Sequence, residues 1–517
     1  MLNYWWVTRP KRKLNSVPEV LSAFAEISLN QEWESQRDTH LSLEETLEKT
    51  GLKRIGERRD HTGGGGRTYK AWVSSLGLIF TQKSTKKIKL TLAGEAIING
   101  ENPVKILKNQ ILKYQFPSPF SLSKNVKVSS RFKIRPFRFL LRLLSDSRIN
   151  YLTEEEIAKI IVVEAENETL KHYEYILGRI LEYRNRGDNC LEKDFYIKYK
   201  SSKGEGDPQK PYAHLFDLAN TLVNWLEYTQ LIKRENGKIS IFKEKEEEVK
   251  EILKIIPPFI DKPEEEEIFQ RKYGLDLTHK KDTRNLIETK IVTPKMIAEQ
   301  KIRNSFITEA SKQPISKISV DLIEKISEKT GFETKIVESI LIKLYPHGAV
   351  GSFMAEYFEM AFRGREDATE FEKATVKIFK EVFGFKAEHV GPKGLTPDVL
   401  LISDSEGYQA IIDNKAYAEY NISNDHRNRM IHNYIGKIKN YSDSNNELVF
   451  FSYIAGGFGK NFDSQIKSIS DETGIKGSGI NVFNMIRMIE NHNQKKYNHN
   501  SIRNIFSINR EILLSDL

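Results

Sequence analysis

Near the C-terminal end of this 517-residue chain, two short apolar runs each carry a carboxylate at one end. Val399-Leu400-Leu401-Ile402 follows Thr396-Pro397-Asp398, and Gln409-Ala410-Ile411-Ile412 runs into Asp413-Asn414-Lys415. Residues 404–407 between them are polar, end in glycine and read as a turn. Short Val/Ile/Leu runs bounded by turn signals read as buried strands, so this region must fold around a covered sheet. Upstream, Phe371, Thr375, Ile378, Phe379 and Val382 make one face of a helix that stops at Gly384. Side chains alternate along a strand, so Ile411, Asp413 and Lys415 share a face. If the two strands pair as a hairpin, Asp398 and Asp413 meet at one end of the sheet. A charge at the end of Ala410-Ile411-Ile412 lies next to a core, where charge is rarely without a role.

Two carboxylates with the carbonyl of Asn414 make an oxygen-rich site suited to Mg²⁺, and Lys415 stands beside it as a cation. Phosphodiester hydrolysis calls for this arrangement. The metal activates water and neutralises phosphate charge, and the lysine orients the nucleophile and stabilises developing negative charge. Pro-Asp and Asp-x-Lys also occur by chance, and on these residues alone a solvated strand end with an incidental charge pair is an equal alternative.

At roughly 150 residues per domain, the length implies three or four domains. Lys and Arg total 80 against 71 Asp and Glu, a formal charge of +9. That excess suits a polyanionic partner and an ordinary basic surface equally. Cys190, the one cysteine, excludes an intramolecular disulfide framework and a cysteine-rich zinc site, and reads as a buried structural thiol. No apolar run approaches the roughly 18 residues of a membrane span, and the start lacks a signal-peptide pattern. A reducing cytoplasm is the expected location.

One local pattern occurs twice in the first half. Within residues 63–94, four glycines precede a helix face of Tyr69, Trp72, Val73 and Leu76, with Gly77 at its C-cap. Two short strands follow, 78–80 and 88–90, joined by the basic tip Lys83-Ser84-Thr85-Lys86-Lys87. Within residues 222–242, Leu222, Val223, Leu226 and Leu231 mark a helix, and Asn236-Gly237 signals a type I′ hairpin turn. Thr153-x-x-Glu156 is a capping box opening a helix with Ile157, Ile160 and Ile161. Helix, stop and hairpin with a cationic tip is the pattern of a winged helix, a module that binds DNA or docks proteins. From 243 to about 284 the chain is dense in charge and prolines, and reads as a solvated, partly helical connector. Helical stretches follow at 321–329 and 334–344.

Gly384-Phe385, Gly391, Thr396-Pro397-Asp398, Ile412-Asp413-Asn414-Lys415-Ala416-Tyr417, Tyr420-Asn421-Ile422, Leu448-Val449-Phe450-Phe451 and Gly457-Phe458-Gly459-Lys460-Asn461-Phe462 resemble, in that order, the cleavage domain of FokI-type restriction endonucleases. The resemblance begins near Tyr345-Pro346-His347 and covers about the last 175 residues. Trp6-Val7-Thr8-Arg9-Pro10, Leu76-Gly77-Leu78 and Tyr114-Gln115-Phe116-Pro117-Ser118 resemble FokI-like and AlwI-like type IIS enzymes. The resemblance implies a multidomain chain. Winged-helix-like recognition domains would occupy residues 1–125 and 126–255, and a helical connector 256–340. A C-terminal α/β PD-(D/E)xK nuclease domain would occupy 341–517. It implies recognition of a short asymmetric site in double-stranded DNA and cutting at a distance with Mg²⁺. Asp398 and Asp413 fall on the metal carboxylates, Lys415 on the catalytic lysine, and Glu372 on an acidic helix residue that reaches the metal through water. Arg67, Lys86, Lys87, Lys89 and Lys393 are the expected DNA contacts, with phosphate contacts positioning the protein and base contacts specifying the site.

Such cleavage domains pair transiently through an acidic and a basic residue on a helix after the lysine. Arg429 and Asn433 fall on those positions, so the same salt bridge cannot form. A strand-specific nickase is therefore a second reading, and a DNA-binding regulator with an inactive nuclease domain a third. Pro257-Pro258-Phe259 follows Ile256 and is not an amino-methyltransferase motif, so a cognate methyltransferase would be a separate protein. Gly456-Gly457-Phe458-Gly459-Lys460 lacks the spacing of a phosphate loop and reads as a turn between strand and helix. His426 and His432 lack the further ligands of a zinc site.

Overall fold

A computed structural model of the chain describes residues 2–54, 62–119, 128–200, 212–262, 265–276, 279–284, 286, 294–346, 348–364 and 367–517. It forms two compact units, Met1–Thr308 with Ile326–Ile340, and Glu309–Lys325 with Leu341–Leu517. His347, part of a sequence motif above, and Pro263 and Glu264 of the charge-dense segment lie outside the described residues.

The first unit is helical, with aromatic cores. Trp5, Trp72 and Trp225 are fully buried, and Phe137 stacks on Trp225 with ring centroids 5.6 Å apart. The helix Gly64–Ser75 buries Tyr69, Trp72 and Val73. It stops at Gly77, whose φ of +71° only glycine adopts easily. The strands β1 (Ile79–Thr81) and β2 (Ile88–Leu90) then pair antiparallel. The second instance follows the same order: helix Ala213–Tyr228, then β3 (Ile232–Glu235) and β4 (Lys238–Ile241). Asn236 and Gly237 both have positive φ, 52° and 74°, as a type I′ turn requires. The capping box at Thr153 is formed: Thr153 N–H donates to Glu156 Oε2 at 2.8 Å and Glu156 N–H to Thr153 Oγ1 at 3.2 Å. The helix it opens widens into a π-helical turn at Ile157–Ile161, all five residues of which are buried.

Two expectations are corrected. The charge-dense segment is not simply solvated, because its helix Glu266–Tyr273 buries Phe269, Gln270 and Tyr273. Gln110 Nε2 donates to the carbonyls of Leu76 (2.9 Å) and Tyr273 (3.0 Å), and Tyr273 Oη returns a bond to the Gln110 carbonyl. The i, i+4 pair Phe269 and Tyr273 was hidden among charges. Cys190 is half-buried rather than buried, since it ends the short 3₁₀ turn Gly187–Cys190 that closes a helix.

The second unit is built on a six-stranded mixed sheet. Its strands are β5 (Lys386–His389), β6 (Val399–Ser403), β7 (Tyr408–Lys415), β8 (Glu447–Ala455), β9 (Lys476–Asn481) and β10 (Arg510–Glu511). They lie in the order β10-β9-β8-β7-β6-β5. The pairs β5–β6 and β6–β7 are antiparallel, and β7–β8, β8–β9 and β9–β10 are parallel. On one face, Leu400, Ile411, Phe451 and Tyr453 pack with Met430, Tyr434, Phe462 and Ile466 from the segments 424–435 and 462–473. On the other, Phe450 meets Phe506 and Phe506 meets Phe379 of the helix Ala368–Glu381. With both faces covered, β7 is buried along its length up to Lys415. Among the described residues no helix is long and apolar enough to cross a membrane.

Candidate active site

The hairpin β6–β7 brings the two carboxylates together as its register demands. Val399 pairs with Ile412, so Asp398 and Asp413 are the next opposed positions. Asp398 Oδ2 accepts the Asn414 backbone N–H at 2.6 Å, fixing the side chain over the end of β7. Asp413, only 2% exposed, shares its face with Lys415, and Lys415 Nζ stands 2.6 Å from Asp413 Oδ2. Asn414 points the other way and donates from Nδ2 to Thr375 Oγ1 at 2.7 Å. Thr375 also bonds Tyr357 Oη at 3.0 Å, so the helix Ala368–Glu381 is tied to this end of β7.

Glu372 lies on that helix one turn before Thr375, and its Oε2 is 2.7 Å from His389 Nε2 at the end of β5. A Cβ built on Gly391 would stand 3.4 Å from Glu372 Oε2, 3.5 Å from Asp398 Oδ1 and 3.5 Å from His389 Nε2. These three polar atoms therefore ring one small space over a residue with no side chain.

Burial pushes the Asp398 carboxyl well above the usual carboxylate range, and the negative charges of Asp413 and Glu372 add to the shift. For Lys415, burial works to lower the pKa, but Asp413 and Asp398 outweigh it and raise the value. Behind the pair, Tyr420 Oη and His426 Nδ1 are 2.9 Å apart. Burial and then the Lys415 charge lower the pKa of His426. Burial and the Asp413 charge raise those of Tyr420 and Tyr434.

The donor set is oxygen-rich and carries more negative than positive charge. Among the described residues no group of three or more His, Cys, Asp or Glu side chains is set to hold a metal ion. Two carboxylates suit a hard, oxygen-seeking cation better than a closed zinc site. The residues therefore fit a hard divalent cation.

The expected DNA contacts belong to the first unit, except Lys393. Lys86 is exposed at the β1–β2 tip, while Lys87 and Lys89 are half-buried. Lys89 Nζ bonds Asn30 Oδ1 at 2.6 Å, and Arg67, exposed, donates to Thr62. The hairpin also accepts internal partners: Lys83 N–H donates to Glu267 at 2.7 Å. Lys393 sits in the turn Gly391–Lys393, its side chain outside the described residues. Arg429 begins the π-helical turn Arg429–Ile435 and pairs with Asp425 at 2.8 Å. His389, Thr375, Tyr420 and Tyr434 had no functional role in the sequence reading. Thr375 stood there only on a helical face and Tyr420 only within the resemblance motif Tyr420-Asn421-Ile422.

The family profile described as AlwI restriction endonuclease matches residues 74–345, more than half of the chain. The chain belongs to the AlwI restriction endonuclease family. A second profile, FokI cleavage domain, matches residues 331–513, which hold the carboxylate cluster. The helix-rich chain ends in a mixed sheet that lies within the residues matched by the FokI cleavage profile, and both profiles are those of restriction endonucleases. The type II restriction enzyme StsI of Streptococcus sanguinis is 24% identical over 151 residues, 26% of this chain. The match spans 24% of the length of that relative. Among solved structures, restriction endonuclease FokI is 16% identical, with a TM-score of 0.28 over 99% of this chain and 100% of its own. The BpuJ1 endonuclease binding domain, solved with pyrene- and phenanthrene-modified DNA, is 15% identical with a TM-score of 0.37 over 53% and 96%.

Proposed function

We propose that this AlwI-family protein is a type IIS restriction endonuclease that recognises a short asymmetric double-stranded DNA site and cleaves at a distance from it with Mg²⁺. The observation that best supports this is Asp398, Asp413 and Lys415 at one sheet end, inside the residues matched by the FokI cleavage family. In this reading the last unit is a PD-(D/E)xK nuclease domain, 341–517. Residues 1–125 and 126–255 are winged-helix-like recognition domains, and 256–340 connects them to it.

Asp398 and Asp413 would hold Mg²⁺, with Glu372 close enough to act through water. Bound Mg²⁺ supplies neutralisation of phosphate charge and activation of water. Lys415, its pKa raised, keeps its proton on Nζ at neutral pH and acts as a fixed cation. From beside Asp413 it orients the attacking water and stabilises negative charge developing on the phosphate. Asp398, anchored on the Asn414 N–H, holds its second oxygen in place without a search of rotamers. Arg67, Lys86, Lys87, Lys89 and Lys393 would contact phosphates, and the +9 charge would make binding strongly salt-dependent. A transient homodimer through the cleavage domain, a separate cognate methyltransferase and a cytoplasmic setting belong to the same reading.

Purified protein with Mg²⁺ should cut plasmid DNA into discrete fragments, and Asp413→Ala should not. Discrete cuts by both, or by neither, would sink the reading. The Arg429–Asp425 pair favours a second reading as a nickase, because Arg429 is engaged within its own helix. Open-circle plasmid as the stable product would support it, and linear DNA would refute it.

A further inference from the structure

His389 is the conspicuous site residue that the nuclease reading leaves without work. It ends β5, opposite Val399 and so next to Asp398 across the sheet. Val390 and Gly391, directly after it, both donate backbone N–H groups to the Asp398 carbonyl, at 3.0 and 3.4 Å. The chain that carries His389 is thus fastened to the residue that carries the first carboxylate. Its ring reaches Glu372 on a different element, and both side chains are largely buried, 16% and 18% exposed. A glutamate on a helix otherwise samples several rotamers, and holding one of them costs side-chain entropy. The Nε2–Oε2 bond at 2.7 Å removes most of that freedom. The rotamer it selects brings Glu372 Oε2 to the space over Gly391 that Asp398 Oδ1 also borders.

We infer that His389 is a positioning residue that holds Glu372 toward Asp398, where its carboxylate acts on the bound cation through water. The inference rests on the nuclease reading. His389 touches neither substrate nor metal in this role. It acts through the carboxylate, as residues behind a metal ligand commonly do, at a typical worth of ten- to a hundredfold in metal affinity. Gly391 borders this space, and a Cβ there would only come into ordinary contact with the three polar atoms.

The test uses the whole protein with two readouts. Mn²⁺ binding without DNA is followed by the paramagnetic resonance of free Mn²⁺, and plasmid cleavage is titrated against Mg²⁺. His389→Ala is expected to weaken Mn²⁺ binding about tenfold or more. It should raise the half-saturating Mg²⁺ by a similar factor, with most cleavage recovered at saturation. His389→Gln, whose amide can donate to Glu372, should restore most of the affinity. In a Glu372→Gln background, His389→Ala should add less than about twofold. An unchanged metal dependence in His389→Ala, or a full effect without Glu372, would overturn the inference. Should His389→Ala fail to fold, His389→Leu, which keeps bulk but has no donor, decides with and without Glu372→Gln through the same coupling. Failure of the nuclease reading looks different: wild-type protein then cuts no DNA, or Asp413→Ala cuts as well as wild type.

Discussion

Both units bury carboxylates, but they treat them differently. In the first unit Glu156, 3% exposed at its side chain, has a partner for each oxygen. Arg184 Nε donates to Oε1 at 2.6 Å, and Thr153 N–H to Oε2 at 2.8 Å. Arg135 and Glu168 are matched in the same way, their closest contact at 2.6 Å. At the sheet end of the second unit, Asp398 and Asp413 share Lys415, and Glu372 adds a further negative charge nearby. Buried charge that serves only the fold is balanced locally, because unbalanced charge in a low dielectric costs several kcal/mol. An excess of one sign that persists inside a well-packed sheet marks a place completed by something else. The raised pKa of Asp398 comes first from burial, and the neighbouring charges of Asp413 and Glu372 add that imbalance to it.

The sharpest test of the contrast is deletion. Asp413→Ala or Lys415→Ala should lower the single-turnover cleavage rate about a thousandfold, with the protein still folded by circular dichroism. A loss of less than about tenfold would break the contrast. In the first unit the same operation should unfold rather than inactivate. Arg184→Ala leaves Glu156 buried without its cation and should cost about 3 kcal/mol in urea denaturation.

A smaller and opposite effect is expected for Asp398→Asn. The folded pKa of Asp398 is raised, so its contribution to stability is present below the ordinary carboxylate range and lost as pH rises through the raised value. In chelator, the melting temperature of the wild type should therefore fall as pH is raised from about 4. Asp398→Asn should show little of that fall and melt higher at neutral pH, while losing cleavage. Equal pH profiles would show that the carboxylates are not in conflict. The smallest effect is at the surface: Lys86→Ala should weaken DNA binding uniformly across sequences and reduce the salt slope by about one, measured by anisotropy over a range of salt.

The hairpin with Asp398, Asp413 and Lys415 was readable because strand alternation, a short turn and flanking carboxylates all point to one geometry. Gly77 and Asn236-Gly237 were readable for a similar reason, since few residues accept positive φ. His389 was not. Lys386-Ala387-Glu388-His389 is a half-exposed edge strand with no apolar alternation, and its partner Glu372 is 17 residues away on a helix. The burial of Tyr273 was obscured by the charges around it, which sit on the outer face of its helix. The π-helical turn at Ile157–Ile161 buries five consecutive residues, Lys159 among them, which a simple amphipathic stripe does not announce.

The turn at residues 404–407 lies at the far end of the hairpin from the carboxylates, about 16 Å along the strands at 3.3 Å per residue. Pairing of Ser403 with Tyr408 fixes the register before the chain reaches the site. Its four residues are exposed, and Asp404 makes a surface ion pair with Lys386. Loop length can therefore change there while the spacing between Asp398 and Asp413 stays put. It is the natural place to graft a fluorophore, an affinity tag or a fused partner onto this domain without retuning its chemistry.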